Sequence, residues 1–300
     1  MASSDTHLEK ALVEFNTRVD ELEDAGPSAD LVDALVKRSR VLAAMDFGVS
    51  ADEDLDEALE VLDGLLSQGV DVQADICFRT YVALGISRRE VDDAEMHTFL
   101  IKASRYLRSL SDPVSAARAC VDCAYELMDL EDIPSARAFL NTALCLREST
   151  DPVQRNYLLK ALFLYAESYV SSEQYAAALP YLVEAVDVGS ALYGQHAVRE
   201  PLDLVLSYVY LADTLIATKD DRAARANLDA VSSILEEKDV LSALDQSDVG
   251  EIHGQIGKDY VELGDVETAE RHLLKQAAFS LSGEDPVLRE AIERRMGSDE

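Results

Sequence analysis

The sequence contains no tryptophan and few of the residues that turn a chain sharply, with 13 glycines and 7 prolines in 300 residues. Folds built from many strands need frequent turns of this kind, so the composition argues against a β-sandwich or a β-barrel. Alanine, leucine and glutamate, which favour helices, are common instead. We therefore expect an all-α protein.

Long apolar runs are also missing. No stretch reaches the ~18 residues that a membrane-spanning helix requires, and the most apolar segment, 204–218, is interrupted by Asp213. The first 15 residues carry several charges and have no apolar run of the kind found in secretory leaders. These features predict a cytoplasmic protein.

Positive charge is scarce: 27 basic residues stand against 58 acidic ones, a formal net charge of −31. Such a chain repels the phosphates of nucleic acids and the headgroups of anionic membranes, so we expect neither as a partner. Lysine is rare beside arginine, and aspartate exceeds glutamate. Two explanations remain open, a cytoplasm with molar salt and a GC-rich genome that encodes arginine in place of lysine.

Cysteine is also rare, and the four thiols are too few to form a disulfide scaffold in a chain of this length. Cys120 and Cys123 form a C-x-x-C motif, which in other settings serves redox chemistry or binds zinc. Here the motif lies in the middle of a predicted helix, on the side that faces Ala136 and Leu140. We therefore predict that both cysteines pack in the core.

Sequence motifs of known enzyme sites are missing as well. There is no glycine-rich phosphate loop, no H-E-x-x-H and no G-x-S-x-G. His253 and His272 are predicted to face each other in the last repeat, either as a proton- or metal-binding pair or as packed side chains. We expect no enzymatic activity, no cofactor and no metal site.

Helical periodicity runs almost from end to end of the chain. Asp-Pro pairs at 112–113, 151–152 and 285–286 mark helix starts, because proline suits the first turn and the aspartate before it caps. The predicted helices are 6–25, 29–45, 54–67, 72–86, 91–110, 113–129, 133–148, 153–171, 174–190, 202–218, 221–236, 247–263, 266–281 and 286–296.

An internal repeat is visible in these helix pairs. In the last of them a small residue, Gly257, is followed by Tyr260, a turn at Gly264-Asp265, then Ala269 and Leu273. Small residues let the two helices of a hairpin pack closely. The corresponding small residues of the other pairs are Ala124 with Ala136, Ala166 with Ala178, and Ala212 with Ala224.

This pattern resembles the tetratricopeptide repeat family, in a variety with long repeats. The second-helix alanines at 136, 178, 224 and 269 lie 42, 46 and 45 residues apart, whereas the family repeats about every 34 residues. The family carries an aromatic residue early in the first helix of each repeat. Here only Tyr208 fits, because the equivalent positions of the other repeats hold Cys120, Leu162 and His253.

The resemblance implies a right-handed superhelical solenoid of stacked antiparallel hairpins. We expect residues 1–300 to form one such solenoid, with an N-terminal helix over 1–26, hairpin repeats over 28–281 and a closing helix over 286–296. In this family the first helices line a concave groove that binds extended peptides or a partner helix.

Counting along each first helix from its small packing residue predicts which side chains line that groove. We expect apolar anchors near Tyr125 and Phe163, and an acidic group of the partner near Arg118 or Lys160. The predicted groove residues are Arg118, Val121, Tyr125, Met128, Lys160, Phe163, Glu167, Val209, Asp213 and Lys258.

The predicted function is a scaffold or adaptor that binds a peptide segment or a partner protein in this groove. The alternative is a peptide-sensing regulator that controls a separate effector. No basic recognition helix is visible in the sequence, which favours the scaffold. The sequence leaves the oligomeric state open.

We predict that the protein becomes more stable as salt increases from about 0.1 M to 2 M KCl, because the screening length falls from ~10 Å at 0.1 M to ~3 Å at 1 M. Screening relieves the self-repulsion of 31 excess negative charges. Melting temperatures in KCl and in potassium sulfate separate screening from the salting-out that sulfate adds. A melting temperature that is flat or falls in KCl would contradict the prediction.

Overall fold

The computed structural model describes residues 2–89 and 91–280, and this part of the chain is helical throughout, without a strand. Fourteen α-helices are present in it. They are α1 (Ala2–Ala25), α2 (Ala29–Ala44), α3 (Gly48–Ser67), α4 (Ala74–Arg88), α5 (Asp93–Ser104), α6 (Pro113–Asp129), α7 (Ile133–Ala143), α8 (Pro152–Val170), α9 (Tyr175–Gly194), α10 (Pro201–Ala217), α11 (Asp221–Leu235), α12 (Lys238–Ala243), α13 (Gln246–Glu262) and α14 (Val266–Ser280).

The chain divides into two compact units, residues 1–145 and 146–300. In the first unit the hairpins are α2/α3, α4/α5 and α6/α7, and α1 packs on α2. In the second unit they are α8/α9, α10/α11 and α13/α14. Within each unit the first helices of successive hairpins contact one another. In the first unit α4 contacts both α2 and α6, and in the second unit α10 contacts both α8 and α13. This is a helical-repeat fold of the tetratricopeptide-like type, which confirms the predicted fold class.

The hairpin turns share one geometry. The first turn residue has a positive φ in five hairpins, Asp46 (63°), Glu131 (59°), Glu173 (55°), Lys219 (67°) and Gly264 (76°). The backbone N–H of the next residue then donates to a carbonyl five residues earlier, as in Asp265 to Tyr260 at 2.8 Å. This arrangement closes the first helix in the manner of a Schellman motif.

The residue that follows in the turn also starts the second helix. The carboxylates of Asp132, Asp220 and Asp265 accept hydrogen bonds from backbone N–H groups three residues later, at 3.1–3.2 Å. One dipeptide therefore ends one helix and caps the next. This is the physical basis of the turn that recurs in the sequence.

The predicted close contacts within the hairpins are present. Ala124, Ala166 and Ala212 are fully buried, as are their partners in the second helices. A Cβ atom added at Gly257 would come within 2.8 Å of Leu273 Cγ, so this position has no room for a larger residue.

The Asp-Pro starts behave as predicted where the structure describes them. Asp112 accepts from the N–H of Ser115 at 3.1 Å, and Asp151 accepts from the N–H of Val153 at 2.9 Å. The third pair, at 285–286, and the predicted closing helix over 286–296 lie outside the described residues.

One helix begins earlier than predicted, and one short helix is not predicted. The sequence predicts a loop over residues 46–53, but α3 begins at Gly48. Tertiary contacts extend the helix there: Ala51 is buried, and Arg38 holds Asp54 through two hydrogen bonds of 2.7 and 2.8 Å. The short helix α12 is not predicted, and it forms where Val240 is buried in the core of the second unit.

Two predicted helices end early, in 3₁₀ turns. The helix expected over 91–110 ends at Ser104, with a 3₁₀ turn at Leu107–Ser109, and the helix expected over 133–148 ends at Ala143 before a turn at Leu144–Glu148. In the stretch from residue 2 to 280, leaving out 90, no helix combines the length and the apolarity needed to cross a membrane.

Cys120 and Cys123 are fully buried on α6, which confirms that they pack in the core. Burial raises the pKa of Cys120 to about 12 and raises that of Cys123 well above its usual value. Neither thiol is therefore ionised near neutral pH, in contrast to the thiolate of a redox motif.

We predict opposite effects of the same substitution at two glycines. Gly264→Ala should lower the free energy of unfolding by about 1 kcal/mol, because an alanine is strained at a φ of +76°. No atom lies within 4 Å of the position that a Cβ would occupy, so a steric clash does not contribute. Gly64→Ala should raise the free energy of unfolding by up to about 1 kcal/mol, because alanine has a higher helix propensity than glycine and Gly64 lies inside α3 with equally open surroundings. Urea unfolding measures both, and equal signs would contradict the assignment of the turn.

Candidate functional site

In the first unit, the predicted groove residues lie along α6 and only some of them are accessible. Arg118 is exposed, with its guanidinium 3.7 Å from Asp122. Tyr125 is 48% exposed and Met128 is half-buried. Val121 is fully buried. This face therefore offers an aromatic side chain beside a basic one, and Val121 supports it from below.

In the second unit, the predicted residues of α8 lie at the contact with α10. The Lys160 ammonium is 3.4 Å from a carboxylate oxygen of Glu200, just before α10 begins. The half-buried Glu167 accepts a hydrogen bond of 3.2 Å from the hydroxyl of Tyr210. Phe163 is only 5% exposed and packs edge-on against Tyr210, with 5.2 Å between ring centroids.

The predicted residues of α10 and α13 divide in the same way. Asp213 is half-buried and Lys258 is exposed, whereas Val209 is buried. Val209, Phe163 and Val121 thus belong to the packing between helices. Because each first helix is flanked by neighbours, the exposed face is narrower than the series of positions counted from the sequence.

The accessible polar residues of α8, α10 and α13 form one strip. Two contacts link the helices across it, Tyr210 with Glu167 and the Gln255 amide with both carboxylate oxygens of Asp213, at 3.3 and 3.4 Å. We call this surface the first-helix strip of the second unit. It consists of Lys160, Glu167, Tyr210, Asp213, Gln255, Lys258 and Glu262.

Sequence reasoning missed three members of the strip, Tyr210, Gln255 and Glu262. Tyr210 is adjacent in sequence to the predicted Val209, which is buried. A signal existed in the sequence: Tyr210, Gln255 and Glu262 are polar or amphipathic, whereas Val209 is not.

Two carboxyl groups meet at the end of the strip. Asp259 is 2% exposed, and its carboxyl group lies near that of Asp213, because the amide nitrogen of Gln255 bonds to both. Gln255 Nε2 donates to Asp259 Oδ1 at 2.9 Å. Burial and the charge of Asp213 raise the pKa of Asp259 to about 8, and burial also raises that of Asp213. At neutral pH the pair therefore holds one proton, as two adjacent carboxyl groups do.

A second perturbed carboxyl group lies near Lys160. Burial raises the pKa of Asp203 to about 7, while the charge of Lys160 lowers it and that of Glu200 raises it further. Lys160 therefore interacts with two acidic residues, with Glu200 through a close contact and with Asp203 through its charge. The basic group at this end of the strip already has acidic neighbours within the protein.

His253 and His272 face each other, as predicted, with 3.0 Å between their Nδ1 atoms. His272 Nε2 is 3.3 Å from the hydroxyl of Ser232, which donates its own proton to the carbonyl of Leu228 at 2.7 Å. The hydroxyl must therefore accept from His272 Nε2–H, so His253 Nδ1–H donates to His272 Nδ1.

Burial lowers the pKa of His253 to about 3 and that of His272 to about 4, with a further contribution to His253 from its neighbour. Both rings are neutral at pH 7 and buried. Of the two interpretations left open by the sequence, packed side chains fit this geometry. Among the residues that the structure describes, no three or more His, Cys, Asp or Glu side chains are placed to hold a metal ion.

The tyrosines between residues 157 and 210 differ in what they contact. Tyr165, Tyr169 and Tyr181 stack on one another, with ring centroids 4.5–6.0 Å apart. Tyr210 instead contributes its hydroxyl to the strip. Tyr165, Tyr169 and Tyr181 therefore serve packing, whereas Tyr210 belongs to the strip.

Comparison with known proteins supports the fold. No protein-family model and no curated protein matches the chain. Among solved structures, the apo form of RapI matches with a TM-score of 0.59 and 14% identity, over 93% of this chain and 77% of RapI. This similarity extends to the fold alone.

Two other solved structures match at lower similarity. BtubC (BKLC) from P. vanneervenii has a TM-score of 0.40 and 16% identity, over 93% of this chain and 94% of BtubC. NprR in complex with its cognate peptide NprX has a TM-score of 0.41 and 11% identity, over 97% of this chain and 83% of NprR. Both are too distant to support a functional argument.

We predict that the histidine pair makes the fold sensitive to acid. A histidine whose pKa is lowered on folding binds protons only in the unfolded state between its two pKa values, so stability falls as the pH drops below about 6.5. The expected loss is roughly 2 kcal/mol per histidine at pH 5. Urea unfolding at pH 7, 6 and 5 measures it.

The double variant His253→Phe, His272→Leu should be less sensitive to acid than the wild type over this range. His7→Gln, at an exposed position, should leave the wild-type slope unchanged. Parallel pH profiles for the wild type and the double variant would show that the pair is not the cause.

Proposed function

We propose that the protein is an interaction module that binds a peptide segment or a partner helix along the first-helix strip of the second unit. The observation that carries the proposal is the strip itself, a row of half-buried and exposed polar groups across three consecutive first helices. In helical-repeat folds the first helices form the surface that binds extended or helical partners.

The fixed geometry of the strip favours recognition over a purely solvated face. Glu167, Tyr210, Asp213 and Gln255 make hydrogen bonds between helices, so their side chains are held in place before a ligand arrives. A surface that only keeps a protein in solution needs no such restraint. Preorganised polar groups on rigid helices lower the entropic cost of binding.

The face of α6 in the first unit is a second proposed contact surface. It presents the exposed ring of Tyr125 together with the guanidinium of Arg118, and both residue types are enriched where proteins bind. Met128 adds a flexible apolar side chain beside them. We propose an adaptor role for the protein, in which it binds a partner without changing it chemically.

The proposal is tested with a random library of 12-residue peptides displayed on phage and selected on the full chain. Affinities of the selected peptides are then measured by fluorescence anisotropy. Ala217→Trp should weaken binding at least tenfold, because Ala217 is exposed on α10 one turn beyond Asp213, and an indole there covers the strip without removing any contact.

Ala226→Trp is the matched control, since Ala226 is exposed on the second helix α11. It should bind the selected peptides as the wild type does, and circular dichroism should show both variants folded. Failure to select any peptide family, or unchanged affinity in Ala217→Trp, would refute the proposed site.

A further inference from the structure

Asp259 differs from the other buried carboxylates of the described chain. Asp54 is held by Arg38 through two hydrogen bonds, and the carboxylate of Glu126 is 3.1 Å from Arg89. Asp259 is buried to the same degree without a basic partner. A buried carboxylate is normally paired with a cation, so this position is an exception in the protein itself.

The atoms around Asp259 leave one acceptor unused. Oδ1 receives the amide of Gln255, whereas Oδ2 is buried and has no donor from the protein other than a proton shared with Asp213. Of the neighbouring charges, Glu262 adds further negative charge, and exposed Lys258 only partly offsets it. The partly exposed Asp213 connects this acceptor to the surface of the strip.

We propose that Asp213 and Asp259 form a subsite for a cationic group of the bound peptide, the guanidinium of an arginine or the ammonium of a lysine. The inference rests on the proposed function and names the chemistry of its ligand. A guanidinium matches the pair best, because its planar array of N–H donors can bond two carboxylates at once.

The shared proton takes the place of this cation in the free protein. Two carboxyl groups side by side cannot both ionise at neutral pH without a compensating positive charge. When the cationic group binds, it supplies that charge, and the proton is released to solvent. Gln255, which bonds to both carboxyl groups, holds them in position in the two states.

This exchange predicts a distinctive pH dependence. Arginine stays charged at all relevant pH values, while the pKa of Asp259 is raised to about 8 by burial and by Asp213. The affinity for an arginine peptide should therefore rise up to tenfold per pH unit between pH 6 and 7.5. The charges of Glu262 and Lys258 also act on the pair.

The test uses the peptides selected on the full chain, resynthesised with each arginine replaced by citrulline, which keeps the shape and removes the charge, and each lysine by acetyl-lysine. One such replacement should weaken binding at least tenfold. Calorimetry in buffers of different ionisation enthalpy should show release of about one proton per peptide at pH 7.

Asp259→Asn should abolish both the proton release and the preference for arginine over citrulline, because asparagine keeps the shape and cannot ionise. Asp213→Asn should weaken the same preference. Asp187→Asn, the same change at an exposed position of α9, should behave as the wild type. The asparagine variants are expected to fold, since the amide can bond to the remaining carboxylate, and circular dichroism verifies this.

The outcomes separate the two proposals. Selected peptides that lack a basic residue, or that bind equally after neutral replacement, overturn the cationic subsite and leave peptide binding intact. Unchanged proton release in Asp259→Asn also overturns the subsite. If no peptide is selected, both proposals fail.

Discussion

No hairpin of this protein can bury its apolar face alone, and every other feature depends on that constraint. The two helices of a hairpin approach closely because small residues lie at their contacts, from Ala124 with Ala136 to Gly257 with Ala269. The remaining apolar surface is covered only when the first helices of neighbouring hairpins pack together. Stacking therefore positions the polar side chains of successive first helices next to one another, which produces the first-helix strip.

The excess of acidic residues has different consequences inside and outside the fold. On the surface, the carboxylates are solvated. Inside, each must be compensated locally, by an arginine at Asp54 and Glu126 and by a shared proton at Asp259. The buried histidines, which stay neutral, weaken the fold in acid, whereas a carboxyl group with a raised pKa weakens it as the pH rises above its unfolded value. The two effects therefore oppose each other over the pH range in which both act.

Much of the architecture could be predicted because its signals are local. The Asp-Pro starts, the turn at Gly264-Asp265 and the spacing of the small residues act within a few positions of the chain. Boundaries failed where distant residues decide them. Helix α3 begins early where Ala51 is buried, and α12 forms where Val240 enters the core of the second unit. For the proposed site, the predicted residues Phe163 and Val209 are buried, whereas Tyr210 and Gln255 lie on the strip and were not predicted.

The sequence by itself determined the helical class, the hairpin repeat, the strongly acidic surface and the helices that carry the candidate site, since each follows from composition or from spacing along one helix. Only the tertiary structure decided which side of each first helix remains accessible, because a neighbouring helix covers part of the face that periodicity marks. It alone brought Asp213 and Asp259 together, 46 residues apart along the chain. In a sequence with so many acids, only burial and the lack of a basic partner single out one carboxylate, and both are properties of three-dimensional packing.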